Sequence, residues 1–299
     1  MADISLTPVR RGRLVVDEGY LFEDVGLGTA TTPDPVHERV ECPVYNVVVE
    51  HPDANILWDT GSHPDAADGH WPAELYDAFT HEGLRPLSVD LDAAGYELAD
   101  IDAVVQSHLH LDHAGGLGAF AGTGVPVYVH REEFAFAYVS AKTGSGDAAY
   151  LASDFDHDLD WQLLTGDRAT PFRDIDLVRL PGHSPGLVAT VLHRDADTVI
   201  LAGDVGFVDE NVTDRRPMDG SLLWSKQNWF DSLDRLADLR DRAADLREAV
   251  DESQVESARE EGAERQLSVR EMVFGGFVGR SYVPTRHPPS ERAPRGDDD

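Results

Sequence analysis

A globular α/β domain is what this chain of 299 residues predicts, on three observations. Apolar runs of strand length recur along it, segments with the spacing of amphipathic helices fall between and after them, and the most chemically distinctive polar clusters stand directly at strand ends. Apolar residues make up 41% of the chain, enough for a sizeable core at this length.

Residues 13–16 and Val44 to Glu50 read as the first strands, the second a near-continuous apolar run of the kind buried on both faces. Asn55 to Trp58 is a third strand and runs into Asp59-Thr60-Gly61. That triplet is either a simple turn or the place where Asp59 orients a metal-bound histidine. Residues 62–72, rich in His, Pro, Asp and Gly, read as a loop, and Ala73 to His81 as a short helix. Leu91 to Tyr96 is helical and Ile101 to Gln106 a strand; Val125 to His130 follows as a strand with Val127 and Val129 on one face, and Arg131 to Ser140 as a helix. The Gly, Ser, Asp and Ala content of 141–158 predicts a loop or lid. Strands resume at Trp161 to Leu164, Asp176 to Leu180, Leu187 to His193 and Thr198 to Ala202. Trp229, Leu233, Leu236, Leu239, Ala243, Leu246 and Val250 recur at three or four residues, so Asn228 to Val250 is an amphipathic helix lying on a sheet. Glu271 to Phe274 reads as one last strand. Beyond a domain of residues 1–276, the segment 277–299 carries Arg280, Arg286, Arg292 and Arg295 in an otherwise acidic protein and predicts a disordered tail.

The chemistry concentrates where the Ile101 to Gln106 strand ends, in Ser107-His108-Leu109-His110-Leu111-Asp112-His113-Ala114-Gly115-Gly116. In extended backbone His108 and His110, two apart, project to the same side, so two ring nitrogens converge. Asp112 and His113 follow where the chain turns, and Gly115-Gly116 permits a tight bend. Imidazoles with a carboxylate form the usual ligand set for zinc or a similar divalent ion. A histidine-rich tract can be no more than a solvated loop, and His37, His51, His81 and His193 are read as ordinary residues. His183, between two Pro-Gly turns at a strand's end, is the expected third imidazole. Gly203-Asp204, closing another apolar strand, puts a carboxylate on the sheet rim, where it suits a ligand shared by two metals.

Composition narrows the partners. With 25 basic and 56 acidic residues the net charge is −31, and Lys142 and Lys226 are the only lysines. Such a surface repels phosphate backbones and anionic membranes, which argues against nucleic acid and membrane partners. The acid excess resembles that of proteins from salt-accumulating archaea, whose carboxylate surfaces stay soluble in molar salt. Cys42 is the only cysteine, so an internal disulfide and a cysteine-based zinc cluster are both excluded. With no apolar run of 18 residues and no uninterrupted apolar stretch near the N-terminus, the expectation is a soluble cytoplasmic protein.

The set His108, His110, Asp112, His113, His183 and Asp204, in this order and on strand ends, resembles the metallo-β-lactamase superfamily over about residues 10–276. Within it, PVYNVVVEHPDANILWDTG, SHLHLDHAGG, LPGHSPG and AGDVGFVDEN are similar to segments of N-acyl-homoserine-lactone lactonases. The resemblance implies a four-layer αββα sandwich of two mixed sheets with outer helices, and one or two Zn2+ ions at one edge. His108, His110 and His183 would hold one ion, Asp112 and His113 the other, with Asp204 bridging. Hydroxide generated at the ions would open the ester ring of an N-acyl-homoserine lactone or a related small-molecule lactone or ester, and Asp112 would shuttle the proton.

Two departures bear on that expectation. The lactonases place a tyrosine three residues after the bridging aspartate, where this chain has Phe207. They also supply a final histidine for the second metal where VFGGF places Gly276, so the second site is expected to be weak unless His287 or His63 substitutes. The alternatives are a thioesterase of the hydroxyacylglutathione hydrolase type, which would need basic residues for the glutathione carboxylates, and a metal-binding paralogue with an impaired second site.

Overall fold

Residues 3–194, 197–248, 273–274 and 277–278 are described in a computed structural model. The strands are β1 (Ser5–Asp17), β2 (Arg39–His51), β3 (Ala54–Trp58), β4 (Thr80–Glu82), β5 (Ala103–Val105), β6 (Pro126–His130), β7 (Asp160–Leu164), β8 (Arg168–Phe172), β9 (Ile175–Arg179), β10 (Val188–His193), β11 (Thr198–Gly203), β12 (Val273–Phe274) and β13 (Phe277–Val278). The α-helices are α1 (Glu18–Leu21), α2 (Ala73–Ala78), α3 (Leu87–Ala94), α4 (Leu111–Ala114), α5 (Arg131–Thr143), α6 (Ala152–Phe155), α7 (Asp209–Thr213) and α8 (Lys226–Glu248).

One sheet runs β4-β1-β2-β3-β5-β6-β7, antiparallel through β3 and parallel from β3 to β7. The other runs β8-β9-β10-β11 antiparallel, extended by β12, parallel to β11, and β13. Both sheets are therefore mixed.

Alternation along the central strands builds the layers. Val47, Val49, Ile56, Trp58 and Val105 of the first sheet meet Ile175, Leu177, Val188, Leu192 and Leu201 of the second in an inter-sheet core. The intervening residues Val48, Leu57 and Val104, with Val127 and Val129 of β6, face outward beneath Leu87 and Leu91 of α3 and Ala137 of α5. On the far side Val178, Ala189, Val191 and Ile200 lie under Trp229, Leu233 and Leu236 of α8, the predicted apolar stripe. Helix, sheet, sheet, helix is the expected αββα order.

Four local differences have physical causes. The helix expected over 73–81 stops at Ala78, and Thr80–Glu82 pairs with Arg13–Val15 as an edge strand. β8 is a half-exposed edge strand carrying Pro171, without the alternation that would announce it. The first strand begins at Ser5, its register interrupted by an irregularity between Arg10 and Arg13. Residues 141–158 are tied down: α5 runs on to Thr143, α6 adds a turn, and Tyr150 and Phe155 are buried in the outer core. Among the described residues no helix is long and apolar enough to cross a membrane. The expected tail lies outside the described residues except for Phe277–Val278, which pair with Val273–Phe274.

Candidate metal centre

Both sheets contribute to one edge of the sandwich. β5 ends at Val105 and hands the chain to His108 and His110, and α4 carries Asp112 and His113. β9 leads to His183; β11 leads to Asp204, through Gly203 in a left-handed turn at φ 60°. The Gly115-Gly116 pair has a different role from the bend expected of it. Both residues have negative φ, and a Cβ on Gly115 would fall 2.2 Å from the His63 amide nitrogen. They are small because segment 60–63 passes against them.

Ring nitrogens and carboxylate oxygens converge in two buried groups, His108 with His110 and His183, and His108 with His113 and Asp204. His110 Nδ1 lies 3.1 Å from His108 Nε2 and 2.9 Å from His183 Nε2. The Asp204 carboxylate lies 3.3 Å from His183 Nε2 through one oxygen and 3.3 Å from His113 Nε2 through the other, so it faces both groups. Asp112, partly exposed, stands at the margin with Oδ2 3.6 Å from His113 Nε2 and joins neither group. His63 stacks on His70 at 3.7 Å and also belongs to neither. Gly276 and His287 lie outside the described residues.

Hydrogen bonds on the far side of each ring fix which nitrogen faces inward. His183 Nδ1 donates to Leu222 O at 2.6 Å, and His113 Nδ1 donates to Asp59 Oδ2 at 2.9 Å. Ser107 Oγ donates to the same Asp59 oxygen at 2.7 Å and therefore accepts from His108 Nδ1 at 3.0 Å. His110 Nε2 lies 3.3 Å from Asp147 Oδ2, which draws the proton to that nitrogen. Each ring thus turns a lone pair toward the others and toward Asp204. Lone pairs at these distances repel unless a cation or proton lies among them. Asp204 Oδ1 is buried without a hydrogen bond, the condition expected of a centre built for a cation. The donor set fits zinc or a similar divalent ion.

The electrostatics of the protein alone show the same frustration. Burial, and then the charges of His113, His110 and His183, push His108 well below the ordinary histidine value. Against burial, the carboxylates of Asp204, Asp112 and Asp59 hold His113 well above it. Asp59, whose carboxyl is raised by burial, has φ 56°, a left-handed conformation that Asp tolerates. Its bonds to Ser107 and His113 give it the orienting position read from Asp59-Thr60-Gly61.

A cleft of about 750 Å³ opens on this centre, lined by His110, Asp112, His183 and Asp204 and otherwise largely apolar. Phe207 lines it, with its ring edge-on to His183 at 5.8 Å. Among the described residues no Lys or Arg lines the cleft. Two acids at the centre were not legible in the sequence: Asp147, beside His110, and Glu133, fully buried behind the histidine segment. Nothing local distinguishes them from the many surface acids.

The family model of the metallo-beta-lactamase superfamily matches residues 39–244. Among similar characterised proteins, an N-acyl homoserine lactonase of a Bacillus species is 30% identical over 193 residues, 61% of this chain and 72% of the relative. The N-acyl homoserine lactonase AiiB of Agrobacterium fabrum is 30% identical over 164 residues, 52% of this chain; the match spans only 59% of that relative's length. Among solved structures, an N-acyl homoserine lactone hydrolase with the product N-hexanoyl-L-homoserine at its catalytic metal centre superposes with TM-score 0.64 at 25% identity, covering 80% of this chain and 89% of that one.

Proposed function

Because the chain belongs to the metallo-beta-lactamase superfamily, we propose that it is a metal-dependent hydrolase that opens N-acyl-homoserine lactones or closely related uncharged lactones. The observation that carries this reading is the convergence of four buried imidazoles and Asp204, with lone pairs inward, at the end of an apolar cleft.

His108, His110 and His183 would hold one divalent ion, zinc by donor chemistry; His113, Asp204 and Asp112 would hold a second, with Asp204 shared. Bound there, such ions polarise a carbonyl oxygen and lower the pKa of water toward neutrality. The protein's own residues do the rest. Asp59 and Ser107 hold His108 and His113 in the ligating tautomer. The apolar walls, Leu14, Val16, Leu75 and Phe136 among them, take the acyl chain and exclude water. Asp112, in the cleft and partly exposed, accepts the proton released on attack and returns it to the departing ring oxygen. Phe207 offers no hydroxyl to the carbonyl. The lack of Lys and Arg among the described residues of the lining favours an uncharged substrate over a glutathione thioester, whose carboxylates would meet Asp112, Asp147 and Glu74.

The test is proton release from an N-acyl-homoserine lactone in molar KCl, with zinc-loaded and chelator-treated protein side by side. Turnover that chelation abolishes is expected. Turnover that survives full metal removal, or a glutathione thioester preferred to every lactone, would overturn the reading.

A further inference from the structure

Glu133, on the first turn of α5, is a carboxylate with no exposed surface and no ion-pair partner among the described residues. A buried anion without a cation is costly, and this one persists through four donors. Oε1 accepts from Leu109 N at 3.0 Å and from Tyr150 OH at 2.7 Å. Oε2 accepts from Ser184 Oγ at 2.6 Å and from Gly186 N at 3.1 Å. The donors come from three segments far apart in sequence. Leu109 lies between His108 and His110, while Ser184 and Gly186 follow His183. Tyr150 also packs its ring on His110, with centroids 4.5 Å apart. The approach is tight, because a Cβ on Gly186 would fall 2.3 Å from the Glu133 amide nitrogen.

We propose that Glu133 is a positioning residue for the metal centre: its carboxylate ties the His108-Leu109-His110 segment to the loop after His183 and so sets the separation at which the three imidazoles meet. The proposal rests on the metal-centre reading above. Packing alone does not explain the residue. Glutamine has the same shape and avoids burying a charge, but its amide would turn a donor toward two of the four donors. Only a carboxylate presents acceptors on both sides.

The test is Zn2+ affinity, measured by competition with a chelating dye, for the wild-type chain, Glu133→Gln and Ser184→Ala, with the unfolding midpoint of each metal-free chain in parallel. Partners that hold a ligating histidine typically account for roughly 10–100-fold in metal affinity. Glu133→Gln is expected to lose about that much and Ser184→Ala, which removes one of the four bonds, several-fold; the metal-free midpoint of Glu133→Gln falls as well, because its amide faces two buried donors, while that of Ser184→Ala stays close to wild type. Zinc bound by a folded Glu133→Gln chain as tightly as by wild type overturns the proposal. If Glu133→Gln does not fold, unchanged affinity in Ser184→Ala overturns it instead. A midpoint loss with no affinity loss assigns Glu133 to packing. A wild-type chain that binds no zinc removes the metal-centre reading itself, an outcome distinct from a difference confined to the variants.

Discussion

Asp59→Asn isolates the proton arrangement of the centre from its shape. The substitution keeps the side-chain volume, and Asn tolerates the φ of 56° at this position as well as Asp does. What changes is one acceptor. Asp59 accepts three hydrogen bonds, from Ser107 N, Ser107 Oγ and His113 Nδ1, and an amide can accept only through its oxygen. With that oxygen on Ser107 N, the amide nitrogen faces His113 Nδ1 and Ser107 Oγ. The His113 proton then moves to Nε2, which lies 3.3 Å from Asp204 Oδ1, where it occupies the direction a cation needs. Loss of such a partner typically costs about 10–100-fold in metal affinity, or about 1.4–2.7 kcal/mol at about 1.36 kcal/mol per decade. The metal-free chain bears little of this cost, since burial already disfavours the Asp59 charge. Zinc competition on the wild-type and variant chains reads the first quantity and urea unfolding in chelator the second. A variant that binds zinc within about threefold of wild type would refute the tautomer argument.

Three more outcomes follow from the same structure. His81 Nε2 donates to Arg11 O at 2.8 Å while Nδ1 accepts from Ser62 Oγ at 2.7 Å, and burial pushes its pKa down to about 4. The unfolded chain therefore binds more protons between about pH 6.5 and pH 4, and stability contributed by the neutral ring is lost as pH falls through that window, up to roughly 3 kcal/mol; urea unfolding from pH 7.5 to 4.5 should show that slope shrink in His81→Gln, and an unchanged slope would count against it. A net charge of −31 makes self-repulsion large, and since the screening length shrinks from about 10 Å at 0.1 M to about 3 Å at 1 M salt, the thermal midpoint should rise steadily with KCl; a flat profile would contradict this. Phe207→Tyr places a phenol where the ring now meets His183 edge-on and, by supplying a donor to developing charge, should raise kcat/KM for the lactone about tenfold or more, whereas no gain at equal zinc content would exclude a role for a donor at this position.

The legibility of the chain follows the range of its interactions. His108, His110, Asp112 and His113 announce themselves because the donors fall in one hexapeptide at the end of an apolar strand. His183 and Asp204 are legible through the Pro-Gly and Gly residues that shape their strand ends. Glu133 is not, since Arg131-Glu132-Glu133 reads as the wet first turn of a helix and only Leu109, Tyr150, Ser184 and Gly186 make it a buried acceptor. The same reason hid the short edge strands Thr80–Glu82 and Arg168–Phe172, which exist through the neighbours they bond and not through their own pattern. It also hid the fixing of segment 141–158, which two aromatic anchors hold against the outer core.

The centre joins the two sheets at the cost of repulsion inside the protein. His108, His110 and His113 arrive from the first sheet, His183 and Asp204 from the second, and the inter-sheet core sets their approach whether or not a cation is present. Without one, inward lone pairs stand 2.9–3.3 Å apart; with one, the same approach becomes ligation. By linkage, a cation at 100 times its dissociation constant stabilises the folded chain by about 2.7 kcal/mol. Stability of the metal-free chain is therefore a poor guide to which residues the centre needs. Substitutions at Asp59 and Glu133 weaken the hold on the ion, so they are separated from ordinary core substitutions by comparing loaded with chelated protein.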